Sequence, residues 1–155
     1  MVSSPPKLYF LTFEGYWREN EISTIPKYSG VYCVYACTYN SVLKLVNLRT
    51  LIAIEGAEDV CASITKPENW SEWRKHLRET EELCFSTAAV GPSDLALVQA
   101  GLIFHHKPPQ NSEYRDSFPF EPTIVINTSG RNHSLDETCV VRKKLPETST
   151  SVTTE

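Results

Sequence analysis

A chain of 155 residues, 41% hydrophobic and 22% charged, has the composition of one compact domain with its own core. That balance excludes wholesale disorder, and the longest apolar runs, such as Leu51-Ile52-Ala53-Ile54, are far too short to span a membrane. The net charge of −4 argues against a protein that lives on phosphate contacts, which ordinarily draw on a basic stripe, and it suits a protein that mimics nucleic acid or one that binds a basic partner.

The start, Met1-Val2-Ser3-Ser4-Pro5-Pro6, lacks a positive region leading into an apolar one, so no signal peptide is expected and a cytoplasmic location follows by default. Leu8 to Phe13 is rich in aromatic residues and predicts a first strand. After the polar stretch Glu14 to Lys27, Gly30 to Tyr39 and Val42 to Ile54 read as β-rich runs. The turn-like Tyr39-Asn40-Ser41 between them predicts an antiparallel hairpin.

A short helix is expected over Gly56 to Ile64, with Glu58 and Asp59 favouring the macrodipole in its first turn and Pro67 ending it. A second is expected from Ser71, as N-cap, to Glu79. Trp70, Trp73 and Leu77 would form its apolar face. Leu83 to Val90 reads as a strand. Pro92-Ser93-Asp94 then opens a helix that is apolar nearly all round, and so buried, until His105-His106-Lys107-Pro108-Pro109 stops it. Gln110 to Arg142 reads as loop with one strand at Thr123 to Asn127. Residues 144–155 read as a Thr/Ser/Glu-rich disordered tail after a single domain over 1–143.

Five cysteines, Cys33, Cys37, Cys61, Cys84 and Cys139, are scattered through the core-like segments without the paired spacing of a zinc site, so they read as small buried hydrophobes. The basic cluster Arg74, Lys75, His76 and Arg78 is diluted by Glu72, Glu79, Glu81 and Glu82 and reads as a solvated helix face.

Gly30-Val31-Tyr32 opens the hairpin, Ile52-Ala53-Ile54-Glu55-Gly56 closes it, and a buried helix later ends in Pro108-Pro109-Gln110-Asn111. This order resembles the GIY-YIG nuclease domain over roughly residues 29–111, and Phe118-Pro119-Phe120 resembles bacterial members. The resemblance implies an α/β fold, with a small central, mainly antiparallel sheet flanked by helices on both sides. It also implies a site in which tyrosines activate water, an arginine stabilises the phosphate and a glutamate holds one divalent metal.

Position by position, the match is incomplete. Tyr32 retains the first tyrosine and Asn111 the late asparagine. The second tyrosine falls on Ala53, the glycine on Glu55, or on Gly56 if a bulge intervenes, the arginine on Ser63 (Cys61 in the other register), and the metal glutamate on Gln99. Glutamine lacks the anionic charge Mg²⁺ prefers. The site is therefore expected to be vestigial, with no intact catalytic residue, no bound metal and no cofactor.

The expectation is a non-catalytic pseudo-nuclease of binding or regulatory function, with a protein partner favoured and DNA or RNA as alternatives. An inhibitory role, or one in host–phage conflict, would suit it. Tyr32, His105, His106, Lys107 and Asn111 are its binding candidates, although adjacent histidines at a helix end ordinarily diverge and so rarely reach one ion. The competing reading is an active Mg²⁺-dependent endonuclease with displaced groups: Glu55, Glu58 or Asp59 on the metal, and Arg49 or Arg74 on the phosphate.

Overall fold

A computed structural model describes residues 5–146. Six strands, β1 (Lys7–Arg18), β2 (Gly30–Asn40), β3 (Leu45–Ala57), β4 (Glu82–Ala89), β5 (Ile124–Gly130) and β6 (Thr138–Val141), form one sheet in the order β3-β2-β4-β1-β5-β6. Every neighbouring pair is antiparallel except β1 with β5. Three α-helices, α1 (Val60–Ile64), α2 (Pro67–Trp73) and α3 (Leu95–His106), cover it. The chain is thus α/β, with a mainly antiparallel sheet. Among the described residues, no helix is long and apolar enough to cross a membrane.

The near-continuous apolar run of β2 is explained by cover on both faces. Val31, Cys33, Tyr35 and Cys37 point into a core shared with α3, whereas Tyr32, Val34 and Ala36 point into a second core shared with α1 and α2. A strand sealed on both sides shows no alternation. The strands also approach closely: a Cβ on Gly30 would lie 2.1 Å from the Ala88 carbonyl oxygen, so only glycine fits there.

β1 divides its pairing. Lys7 to Phe13 runs parallel to β5, and Glu14 to Arg18 runs antiparallel to β4. The β1–β5–β6 half buries Leu11, Phe13, Ile124, Ile126, Cys139 and Val141 on the α3 side. Its opposite face leaves Leu8 61%, Phe10 76% and Val140 46% exposed.

Several elements depart from the sequence-based expectation. β3 continues through Ala57, so Gly56 is a strand residue and the first helix begins only at Val60. Asp59 is its N-cap, accepting from the Ala62 N–H at 2.9 Å, and Glu58 lies outside it. Pro67 opens α2 rather than ending α1, because a first-turn proline loses no intrahelical hydrogen bond.

The second helix accordingly spans Pro67–Trp73 and passes into a 3-10 turn over Arg74–His76, instead of running from Ser71 to Glu79. Ser71 caps nothing, and its hydroxyl donates back to the Glu68 carbonyl. The expected strand at Thr123 to Asn127 extends to Gly130, and β6 falls in a stretch read as loop. Lys144 exchanges backbone hydrogen bonds with Phe118, so the fold is engaged up to that residue. Residues 147–155 of the expected tail lie outside the described residues.

Candidate functional site

The motif positions divide between the two faces and the edge of β3. On the α1–α2 face, the Tyr32 and Ser63 hydroxyls are hydrogen-bonded at 2.8 Å. The Tyr32 ring packs edge-on against Trp73 with centroids 6.1 Å apart. Ala53 is fully buried in the same core. Burial pushes the Tyr32 phenol well above its ordinary range; the Ser63 hydroxyl partly offsets this and the nearby Glu55 carboxylate adds to it. A phenol held protonated this firmly is a poor base near neutrality.

β3 carries one-residue bulges at Ile52 and Arg49, beyond Ala53 on the side away from Glu55. Glu55 therefore pairs with Tyr32, and Gly56 with Val31, on opposite faces of the sheet. Gln99, on α3, lies against Gly56, where a Cβ would come within 2.7 Å of its Oε1. Gln99 thus sits on the face opposite the Tyr32–Ser63 pair.

Asn111 lies at the open edge of β3 with both halves of its amide engaged. Its Oδ1 accepts from the Ile54 N–H at 2.9 Å, and its Nδ2 donates to the Ile54 carbonyl at 2.9 Å. The neighbouring Gln110 N–H donates to the Ile52 carbonyl at 3.0 Å. Together these substitute for a missing neighbour strand and satisfy an otherwise unpaired edge. Asn111 is a structural residue here.

Glu55, Gln99, Gln110, Asn111 and Glu113 border a small polar cavity at this edge. Its volume of about 170 Å³ suits a few waters or a hydrated ion. Burial, and secondarily the Glu113 charge, raise the Glu55 carboxyl above its usual range. Asp59 is occupied as the α1 cap. Of the displaced cations considered, Arg49 is held by Glu81 at 2.5 and 2.8 Å and by the His76 carbonyl. Arg74 pairs with Glu19 at 2.7 Å and lies over the Trp70 ring. Lys75 pairs with Glu72, which matches the reading of this cluster as a solvated face.

All five cysteines are free and buried. Lys107 ends α3 in the left-handed region at φ 50°, and its ammonium donates to the Arg115 carbonyl and lies over the Phe104 ring.

The histidines were expected to diverge; instead their rings meet edge-on with centroids 4.7 Å apart. They converge because the loop between β5 and β6 lies across the end of α3. Asp136 on that loop accepts from or pairs with His105 Nε2 at 2.7 Å, and its backbone N–H donates to His106 Nε2 at 3.0 Å. His106 Nδ1 faces the Leu102 carbonyl at 3.0 Å. Burial, more than any other influence, lowers the His106 pKa below the usual range. Asp136 had no local signal in the sequence, since it lies on another element and meets the histidines only through the fold.

Comparison of the chain with family models, with curated proteins and with solved structures returns no match.

Proposed function

We propose that this protein is a non-catalytic binding protein of the pseudo-nuclease kind, acting in the cytoplasm on a protein partner. One observation carries the reading: the surviving motif groups are engaged internally, the Tyr32 hydroxyl with Ser63 and the Asn111 amide with the Ile54 backbone. At the altered positions, Ala53 offers no phenol and Gln99 no carboxylate. Removing one transition-state donor ordinarily lowers a rate by roughly 10²–10³-fold. The net charge of −4 and the exposed Leu8 and Phe10 support a protein partner over naked DNA or RNA. A regulatory or inhibitory role, including one in host–phage conflict, is compatible with such chemistry.

The test is incubation with supercoiled and linear DNA in Mg²⁺ and in Mn²⁺, with no cleavage expected. One feature favours a Mg²⁺-dependent endonuclease instead: Glu55 and Glu113 border the same polar cavity as Gln99. Cleavage that disappears in Glu55→Ala and survives Gln99→Ala would establish that second reading and sink the first. In the inactive case, the triple change Ala53→Tyr, Ser63→Arg and Gln99→Glu asks whether the scaffold still supports hydrolysis.

A further inference from the structure

The end of α3 and the β5–β6 loop bring the binding candidates His105 and His106 together with Asp136, three side chains to which the motif comparison gives no role. His105, His106 and Asp136 each present one donor atom, and these atoms lie within 4.8 Å of one another. Tetrahedral zinc with bonds of about 2.0–2.1 Å separates its ligand atoms by roughly 3.3–3.4 Å, so closing this triangle around an ion takes side-chain rotation and withdrawal of the Asp136 N–H from His106 Nε2. His105 Nε2 and Asp136 Oδ2 already stand at 2.7 Å and would open slightly.

The His106 ring is oriented as a ligand. The Asp136 N–H donates to its Nε2, so the lone pair is on Nε2 and the proton on Nδ1, bonded to the Leu102 carbonyl. An Nδ1–H held by a backbone carbonyl is the tautomer metal-bound imidazoles ordinarily show, although Nε2 here accepts the Asp136 N–H, which an ion must displace. The third ligand is anchored too. The Asp136 carbonyl accepts from the Thr128 hydroxyl at 2.9 Å, and the loop is tied to the sheet where the Tyr35 hydroxyl donates to the His133 carbonyl at 2.7 Å.

We propose that His105, His106 and Asp136 form a surface site for a divalent transition-metal ion of the imidazole-preferring class, with zinc as the reference ion. Two neutral imidazoles and one carboxylate suit zinc, nickel or copper far better than Mg²⁺, which prefers an oxygen shell. The ion would take the His106 lone pair now occupied by the Asp136 N–H. Both His105 and Asp136 are exposed, so the fourth position would face solvent and hold water or a group from a partner. Bound metal would pin the C-terminal end of α3 to the β5–β6 loop.

The experiment is calorimetric titration of the tag-free full chain with Zn²⁺, together with the absorption spectrum of the Co²⁺-substituted protein and circular dichroism of every variant. Saturable one-to-one Zn²⁺ uptake is expected, with a four-coordinate Co²⁺ spectrum and a zinc-dependent rise in Tm. His105→Ala and Asp136→Asn, both at exposed positions, should each weaken uptake by about ten-fold or more while the fold is retained. His133→Ala should leave uptake unchanged. Absence of uptake by the unaltered chain, uptake that survives both His105→Ala and Asp136→Asn, or equal affinity for Mg²⁺ would each overturn the assignment.

Discussion

The two halves of the sheet differ in how far they are covered. In the β2–β3–β4 half, helices seal both faces, and Val31 to Cys37 are all inaccessible. In the β1–β5–β6 half only the α3 side is sealed, and the other presents Leu8, Phe10 and Val140. The motif residues lie in or beside the closed half. The exposed apolar strand face and the His105–His106–Asp136 corner lie in the open half or at its border, while Val42, Leu43 and Leu45 are exposed at the tip of the β2–β3 hairpin. Burial stabilises a domain but removes the buried groups from recognition, so Tyr32 and Ala53 are withdrawn from any partner.

The largest contrast should come from truncating one aromatic in the closed half. Phe85 is fully buried between Trp70 and Trp73, with centroids 5.8 Å from each. Phe85→Ala should destabilise the fold by about 3–5 kcal/mol in denaturant titration. A loss under about 1 kcal/mol would mean that the second core is loosely packed around Phe85.

Next in size is the β3 edge. Asn111→Ala leaves the Ile54 N–H and carbonyl without their partner and should cost about 1–3 kcal/mol, accompanied by faster amide exchange at Ile54. If exchange at Ile54 is unchanged, the asparagine is not what holds that edge.

A smaller effect is expected at Glu55, and its sign follows from linkage. Burial raises the folded-state pKa above the unfolded value, so the folded protein prefers the protonated form. That contribution is fully present below the unfolded pKa and is lost as pH rises through the folded one. Glu55→Gln should therefore raise Tm at neutral pH relative to the unaltered chain, and the difference should vanish in acid. The opposite order at neutral pH would show that the ionised carboxylate is stabilised in the fold.

The least effect on stability belongs to the open face. Phe10→Ser should stay within about 0.5 kcal/mol of the unaltered chain, yet it should weaken capture of a partner in a pull-down. Partner capture that is indifferent to this change would move the binding surface away from β1.

The hairpin and the buried helix α3 were legible in the sequence because each rests on a local pattern: two β-rich runs about a turn, and an apolar segment long enough to be a helix; the α/β class was expected from the motif resemblance. The start of α2 was misread because Pro67 can close one helix or open the next, and only the contacts decide. Asn69 donates to the Ser63 carbonyl and the Trp70 indole to the Ile64 carbonyl, which dock α2 directly onto α1. β6 was missed for a similar reason. It is four residues long and exists through its pairing with β5.

The sequence by itself determined which groups the motif positions could offer, since the absence of a phenol at Ala53 and of a carboxylate at Gln99 is a matter of covalent chemistry. The tertiary structure alone decided which groups meet. It placed Tyr32 on Ser63, set Gln99 on the opposite face, turned Asn111 into a substitute for a neighbour strand, and carried Asp136 to His105 and His106. The physical reason is that strand register and loop closure act between residues far apart in the chain, and such contacts leave no periodic trace along it.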